Sequence, residues 1–239
     1  RASTFICPTC GKEKITAIRN VSENGFYCDN CSDGYSFPEK FIMELLNQLN
    51  EKYVFQCSKK VLNWCQDYKY DFAILDKLCI IETHGLQHYK SCGFTGRTLE
   101  EEQENDKKKE KLAKKNSIEH YIVLDCRKSE LEWIKKSVME SELPTLLNFK
   151  EDDIDWLKCY EFACSSLLKT VCDIWNSGTF KTSQISKKLN ITTWTIVKYL
   201  NIGNKLGICN YNGKKERIKA STRKVICLTT NEIFNSLLD

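Results

Sequence analysis

Apolar and polar positions alternate along the chain with different periods in different stretches. In SFPEKFIMELLNQL, from Ser36, apolar residues recur as Phe41, Ile42, Leu45, Leu46 and Leu49 behind a serine able to cap, which predicts a helix. KYDFAIL and CIIETHG follow as two strand-like runs separated by Asp76 and Lys77, which predicts a hairpin. RTLEEEQENDKKKEKLAKKN predicts a helix capped near Thr98 with a solvated, charged face. HYIVLDC is almost wholly apolar and predicts a third, buried strand. The order helix, hairpin, helix, strand, helix describes an α/β domain over residues 36–145. Residues 146–176 read as a helical connector, with Trp156, Tyr160, Phe162, Leu167 and Trp175 available to pack.

After NSGT the period shortens. Thr182 is placed to cap a helix with Ile185 and Leu189 inward, Asn190 ends it, and Thr192 starts another with Ile196 and Leu200 inward. Two short helices across a three-residue turn are the helix-turn-helix layout, expected over residues 177–210. In the tail, 211–239, STRKVICLTTNEIFNSLLD predicts a strand, a polar turn at Thr230 and Asn231, and a further apolar run.

Composition narrows the class. Of 239 residues, 41% are hydrophobic and 11% aromatic, enough for a core, so a disordered chain is excluded. No run is long and apolar enough for a membrane span and no signal-peptide layout opens the chain, so a cytoplasmic protein without membrane contact is expected. The start at Arg1 is expected to reflect trimming or processing. The net charge is +4; residues 177–239 carry +8 and residues 1–35 none, which leaves −4 for residues 36–176. A basic C-terminal segment predicts a polyanionic partner, with an ordinary solvated surface as the alternative.

Most of the 14 cysteines are scattered singly, as expected of reduced thiols used as small core residues. Cys7, Cys10, Cys28 and Cys31 differ. Their C-x2-C-x17-C-x2-C spacing supplies two thiolate knuckles, the ligand set of a closed tetrahedral Zn2+ site, so residues 1–35 read as a structural zinc ribbon.

The middle domain holds the candidate chemistry. Strand alternation puts Glu82 and His84 on one face, and a hairpin centred on Asp76 and Lys77 puts Asp71 opposite Glu82. Facing carboxylates are costly without a cation between them, and a hard divalent ion, Mg2+ or Mn2+, suits oxygen ligands.

Asp71, Glu82 and His84, as D-x10-E-x-H, resemble the PD-(D/E)xK nuclease superfamily with His in place of the usual Lys. ETHG after the YDF strand resembles the very-short-patch-repair branch and its related homing endonucleases (EDxHD). There a Thr-His-Gly follows the metal Asp by a similar interval and a Glu from the preceding helix joins the site, matched by Glu39 in SFPEKF. The resemblance implies a restriction-endonuclease-like fold, a central mixed sheet flanked by helices. It also implies metal-dependent DNA cleavage. Asp71 and Glu82 would bind the metal with the Thr83 carbonyl, His84 would manage the attacking water, Glu39 would bind a second metal or orient water, and Gln87 or His88 would assist at the phosphate. The chain departs from that branch in having Glu82 where an apolar residue stands and in the position of its second His. The helix with Arg97, Glu101 and Asp106 is similar to a segment that flanks such sites.

Plainer alternatives are a surface position for Glu39, a strand-end hydrogen bond for His88, and a helix-capping role for Asp125 in place of a site role. In the helix-turn-helix, Thr192, Thr193, Trp194, Thr195 and Lys198 would meet base edges and Lys187, Lys188 and Lys205 phosphates. KVICLTTNEIFNS resembles the start of nuclease-associated modular DNA-binding domains. The expected function is a sequence-selective endonuclease of duplex DNA, of homing, phage or mobile-element type in a bacterial or phage-infected cell, acting as a monomer or a DNA-induced dimer. The alternatives are a DNA-binding regulator on a non-catalytic scaffold and a mismatch-nicking repair enzyme.

Overall fold

The computed structural model describes residues 2–19, 21, 26–91, 98–178, 181–216, 225–226, 229 and 233–234. Two compact units divide the chain, Arg1–Ser166 and Leu167–Asp239.

The first unit opens on an antiparallel pair, β1 (Ala2–Ile6) and β2 (Glu13–Ala17), joined through Cys7 and Cys10. Helix α1 (Phe37–Gln48) begins in a capping box: the Ser36 hydroxyl accepts from Glu39 N–H, and the Glu39 carboxylate accepts from Ser36 N–H at 2.7 Å. Next come β3 (Val54–Cys57), β4 (Tyr70–Ile74) and β5 (Cys79–His84), an antiparallel meander. Helix α2 (Leu99–Lys115) crosses over to β6 (His120–Asp125), which runs parallel to β5. The result is a mixed four-stranded sheet in the order β3, β4, β5, β6. Helices α3 (Leu131–Met139), α4 (Leu143–Leu146) and α5 (Trp156–Cys164) complete the unit.

The core divides between the two faces of the sheet. Phe72 meets Tyr53 edge to face, and the Tyr53 hydroxyl donates to Asn47 of α1 at 2.9 Å, so this face belongs to α1. Helix α1 in turn packs on α5, with Phe41 against Trp156 and Phe37 against Tyr160. On the other face Ala73 and Ile80 meet Ala113 of α2, and the Tyr70 hydroxyl donates to the Lys109 carbonyl at 3.0 Å.

Two expectations change here. The strand HYIVLDC is the sheet's edge rather than its buried interior: Val123 is 41% exposed because, among the described residues, no further strand lies beyond β6. Strand β3 was not legible; it is four residues long and broken by Gln56, whose φ of 51° lies in the left-handed region.

In the second unit, α6 (Leu167–Asn176), α7 (Thr182–Leu189) and α8 (Thr193–Lys205) pack around Ile185, Leu189, Ile196 and Leu200. The stretch expected as a connector thus distributes between the units, α5 in one and α6 in the other. Asn190, at φ 51°, ends α7 in the left-handed region, and Thr192 caps α8 by accepting from Thr195 N–H. The cap of α7 is Lys181, one residue before Thr182. Val225–Ile226 (β7) and Ile233–Phe234 (β8) form a short antiparallel pair in the tail. The turn expected at Thr230 and Asn231 lies outside the described residues, as does Arg97. Among the described residues no helix is long and apolar enough to cross a membrane.

Candidate functional site

Two groups of three or more His, Cys, Asp or Glu bring donor atoms within 4.8 Å of one another among the described residues. The first is Cys7, Cys10, Cys28 and Cys31. Cys7 Sγ lies 3.4 Å from Cys31 Sγ, and Cys10 Sγ lies 3.7 Å from Cys28 Sγ. A tetrahedral zinc with Zn–S bonds of about 2.3 Å sets its sulfurs about 3.8 Å apart, so the cluster fits a structural metal such as zinc. Burial alone would raise the Cys10 thiol, but donation from the Asn30 amide and neighbouring hydrogen bonds bring it down to about 6, toward the thiolate a metal needs.

The second group lies at the C-terminal end of β5. Gly85 ends the strand, and the following turn carries His88 back over it. The imidazoles of His84 and His88 stack with centroids 3.9 Å apart and planes within 10°. His88 Nδ1 lies 2.7 Å from Asp106 Oδ2, while His84 Nδ1 is 3.9 Å from the same oxygen. Burial would raise Asp106, but the hydrogen bond from His88 and the positive charge around it hold it below the usual carboxylate range. As the carboxylate is ionised, Nδ1 of His88 is the donor. His84 goes the other way: burial first, then the neighbouring His88, lower it to about 4, so it is neutral at pH 7. Stacked rings direct their in-plane lone pairs along parallel planes. An ion bonded in one ring's plane at about 2.1 Å would therefore lie out of line with the lone pair of the other ring.

Gln87 does not join this group. Its amide folds over Gly85, where an added Cβ would lie 2.7 Å from Gln87 Oε1. Of the two candidates for the second position, His88 is the one brought to His84.

The carboxylates are arranged differently from the expected facing pair. The β4–β5 ladder has the predicted register but stops at Phe72–Ile81. Asp71 turns to Thr83, accepting from its N–H at 2.8 Å and its hydroxyl at 2.6 Å. Thr83 alternates with Glu82, so the Asp71 carboxylate serves the α1 side while Glu82 serves the α2 side. At the end of β3, Gln56 leaves regular strand geometry and donates its amide to Glu39 Oε1. Glu39 is therefore buried rather than a surface acid, 8% exposed. Burial and then the Asp71 charge push it up to about 7. Glu82, 3% exposed, is pushed up to about 8 by burial and then by Asp71, against the opposing Lys109 charge. Lys109 Nζ donates to Glu82 Oε2 at 2.8 Å, while Glu82 Oε1 is buried with no hydrogen-bond partner among the described residues.

An orphaned carboxylate oxygen of this kind is costly to bury. Glu39, Asp71 and Glu82 do not converge on one point, since they form no group within the 4.8 Å limit.

Helix α2 contributes Asp106, which the sequence singled out, and Lys109, which it did not. Glu102, Asp106, Lys109 and Ala113 face inward at helical spacing, so the solvated helix has a largely polar stripe on its covered side. Glu101 is engaged in the capping box with Thr98. Asp125 does not cap α3, which starts at Leu131 behind Glu130; its carboxylate holds Arg127 through Nε and Nη2.

In the second unit Thr192, Thr193, Trp194, Lys187, Lys188, Lys198 and Lys205 stand at or near the surface, with Trp194 at 73% exposure. Thr195 is the exception among the residues expected at base edges. It is buried, its hydroxyl 2.9 Å from that of Thr192, and it serves the turn. No protein-family model matches the chain, and neither a curated protein nor a solved structure matches it.

Proposed function

We propose that the chain is a metal-dependent endonuclease of duplex DNA, with a restriction-endonuclease-like first unit and a DNA-reading second unit. The observation that carries this reading is the set Glu39, Asp71 and Glu82, in which burial first and the Asp71 charge second raise both glutamates, on a strand that also carries the neutral imidazole of His84. Asp71 and Glu82, with the Thr83 carbonyl, would hold Mg2+ or Mn2+. When bound, the ion would lower the pKa of water and offset charge on a phosphoryl oxygen.

The chain's own residues divide the remaining work. His84, kept unprotonated by burial, accepts the proton of the attacking water as oxygen bonds to phosphorus and the bond to the leaving oxygen breaks. His88 donates from Nδ1 to Asp106, which fixes its ring against His84, and as the imidazolium it would also donate from Nε2 to a phosphate oxygen. Glu39, near neutrality, orients the water. Zinc at the N-terminal cysteines would stiffen a ribbon too small for its own core. Thr192, Thr193, Trp194 and Lys198 would read bases while Lys187, Lys188 and Lys205 meet phosphates.

One observation favours a regulator with a non-catalytic scaffold: Lys109 already pairs with Glu82, and Thr83 already engages Asp71. Supercoiled plasmid with Mg2+ separates the two readings. Nicked or linear product from wild type and none from Asp71→Ala is expected. Intact plasmid carrying a sequence the protein binds would sink the endonuclease reading.

A further inference from the structure

A second cluster adjoins the histidines. The parallel register of β5 and β6 sets Asp125 beside His84, so Arg127 and Lys128 follow at the same end of the sheet. The Arg127 guanidinium lies 4.5 Å from the Tyr89 ring centroid and 5.6 Å from that of Trp133, and Lys128 Nζ lies 4.6 Å from Trp133. Tyr89 meets His84 edge to face at 6.3 Å. The sequence His84, Tyr89, Arg127, Trp133, Lys128 is therefore a continuous line of contacts leading out from the candidate site.

Its charge runs against its surroundings. Residues 36–176 are net acidic, yet both cations here are exposed and sit on aromatic faces. Asp125 holds Arg127 through Nε and Nη2, and no hydrogen bond among the described residues uses Nη1. Lys128 has no ion-pair partner among the described residues. An exposed ion pair such as Asp125–Arg127 contributes little to stability. Its effect is to hold a planar donor in place at small entropic cost, as bidentate phosphate recognition requires.

We propose that Arg127 and Lys128, seated on Tyr89 and Trp133, clamp two backbone phosphates of duplex DNA beside the reacting one. The choice of DNA rests on the endonuclease reading; the clamp itself rests on the cluster. Tyr89 and Trp133 act as platforms that fix the cations, and Asp125 orients Arg127.

The test is the salt dependence of binding to a linear duplex, with zinc-loaded full-length protein and no other divalent cation. Arg127→Gln with Lys128→Gln is expected to reduce the slope of log K against log salt by about 1.8, or about 0.9 for each phosphate no longer neutralised. Lys59→Gln with Lys60→Gln, at the opposite edge of the sheet, is expected to leave the slope unchanged. Unchanged slope in the Arg127/Lys128 variant, with zinc content and melting temperature retained, would overturn the clamp. Since binding is read without cleavage, the two proposals fail separately. A reduced slope with uncut plasmid keeps the clamp and removes the endonuclease; cut plasmid with an unchanged slope does the reverse. Where cleavage occurs, the variant should raise KM and spare kcat, and a loss confined to kcat would also overturn the clamp.

Discussion

Glu39→Gln is expected to stabilise the metal-free protein at neutral pH, contrary to what loss of a capping-box carboxylate ordinarily does. On an exposed helix the negative charge near the N-terminus is favourable by about 0.3–1 kcal/mol, so the amide would be neutral or slightly worse. Here burial and Asp71 raise Glu39 from 4.5 to about 7. In the unfolded chain the group titrates near its ordinary value. The stability it allows is therefore complete below about pH 4.5 and is lost as pH rises toward 7 and the buried carboxyl ionises. A gap of roughly 2.5 pK units, at about 1.36 kcal/mol each, puts the loss at about 3 kcal/mol. With Glu39 only 8% exposed, solvent screening removes little of this. Glutamine keeps an acceptor for Ser36 N–H and carries no charge. Urea unfolding of zinc-loaded wild type and variant, at about pH 4.5, 6 and 7.5 without other divalent ions, reads the difference directly. It should be near zero at the acid end and grow to about 3 kcal/mol in favour of glutamine at the alkaline end. Added Mg2+ should then stabilise the wild type more than the variant. A pH-independent difference, or a variant less stable at neutral pH, would refute the account of Glu39 as a strained buried acid.

At saturating Mg2+ the acid limb of kcat/KM should lie near 4, because protonation of His84 as pH falls removes the proton acceptor; a limb near the ordinary 6.5 would place that acceptor elsewhere. Cys28→Ser should abolish stoichiometric zinc by elemental analysis and expose residues 1–35 to protease while residues 36–166 stay protected. A zinc-free wild type with an equally protected ribbon would contradict the four-cysteine site. In the second unit, Gly203→Ala would drive a Cβ into Cys172 Sγ and set it 3.1 Å from Cys209 Sγ, so it should cost about 1–3 kcal/mol by overpacking α6 against α8. An unchanged melting profile would show that this crossing has slack.

The legible parts of the fold were those in which periodicity and capping agree. Helix α1, with Ser36 and its apolar stripe, the hairpin about Asp76 and Lys77, and the α7–α8 turn all follow from local residues whose preferences match their surroundings. The four cysteines were legible because metal coordination fixes spacing in sequence. What escaped was set by contacts distant along the chain. Asp71 accepts from Thr83 on the neighbouring strand, and nothing within KYDFAIL encodes that partner. HYIVLDC reads as interior because an apolar run cannot state whether another strand lies beyond it. Asp106 was singled out, but Lys109 was hidden inside a charged run, since a search for an apolar stripe passes over a covered face that is polar. Its position, three residues from Asp106 and four from Ala113, was the available signal.

These departures from local rules are not scattered. Glu39 buried in a capping box, Gln56 in a left-handed conformation, Glu82 inside a core strand with an orphaned oxygen, and a charged stripe turned inward on α2 are linked by contacts around one end of the sheet. Leucine or methionine at positions 82 and 109 would fill the same space without desolvating charge, and such replacements of buried ion pairs are often neutral or stabilising. At the other end of the same sheet Ala73, Ile80, Ala113 and Ile118 follow the rules of an apolar core. A fold that packs one end of its sheet conventionally and leaves Glu39 and Glu82 buried at the other concentrates its departures from the local rules at that end.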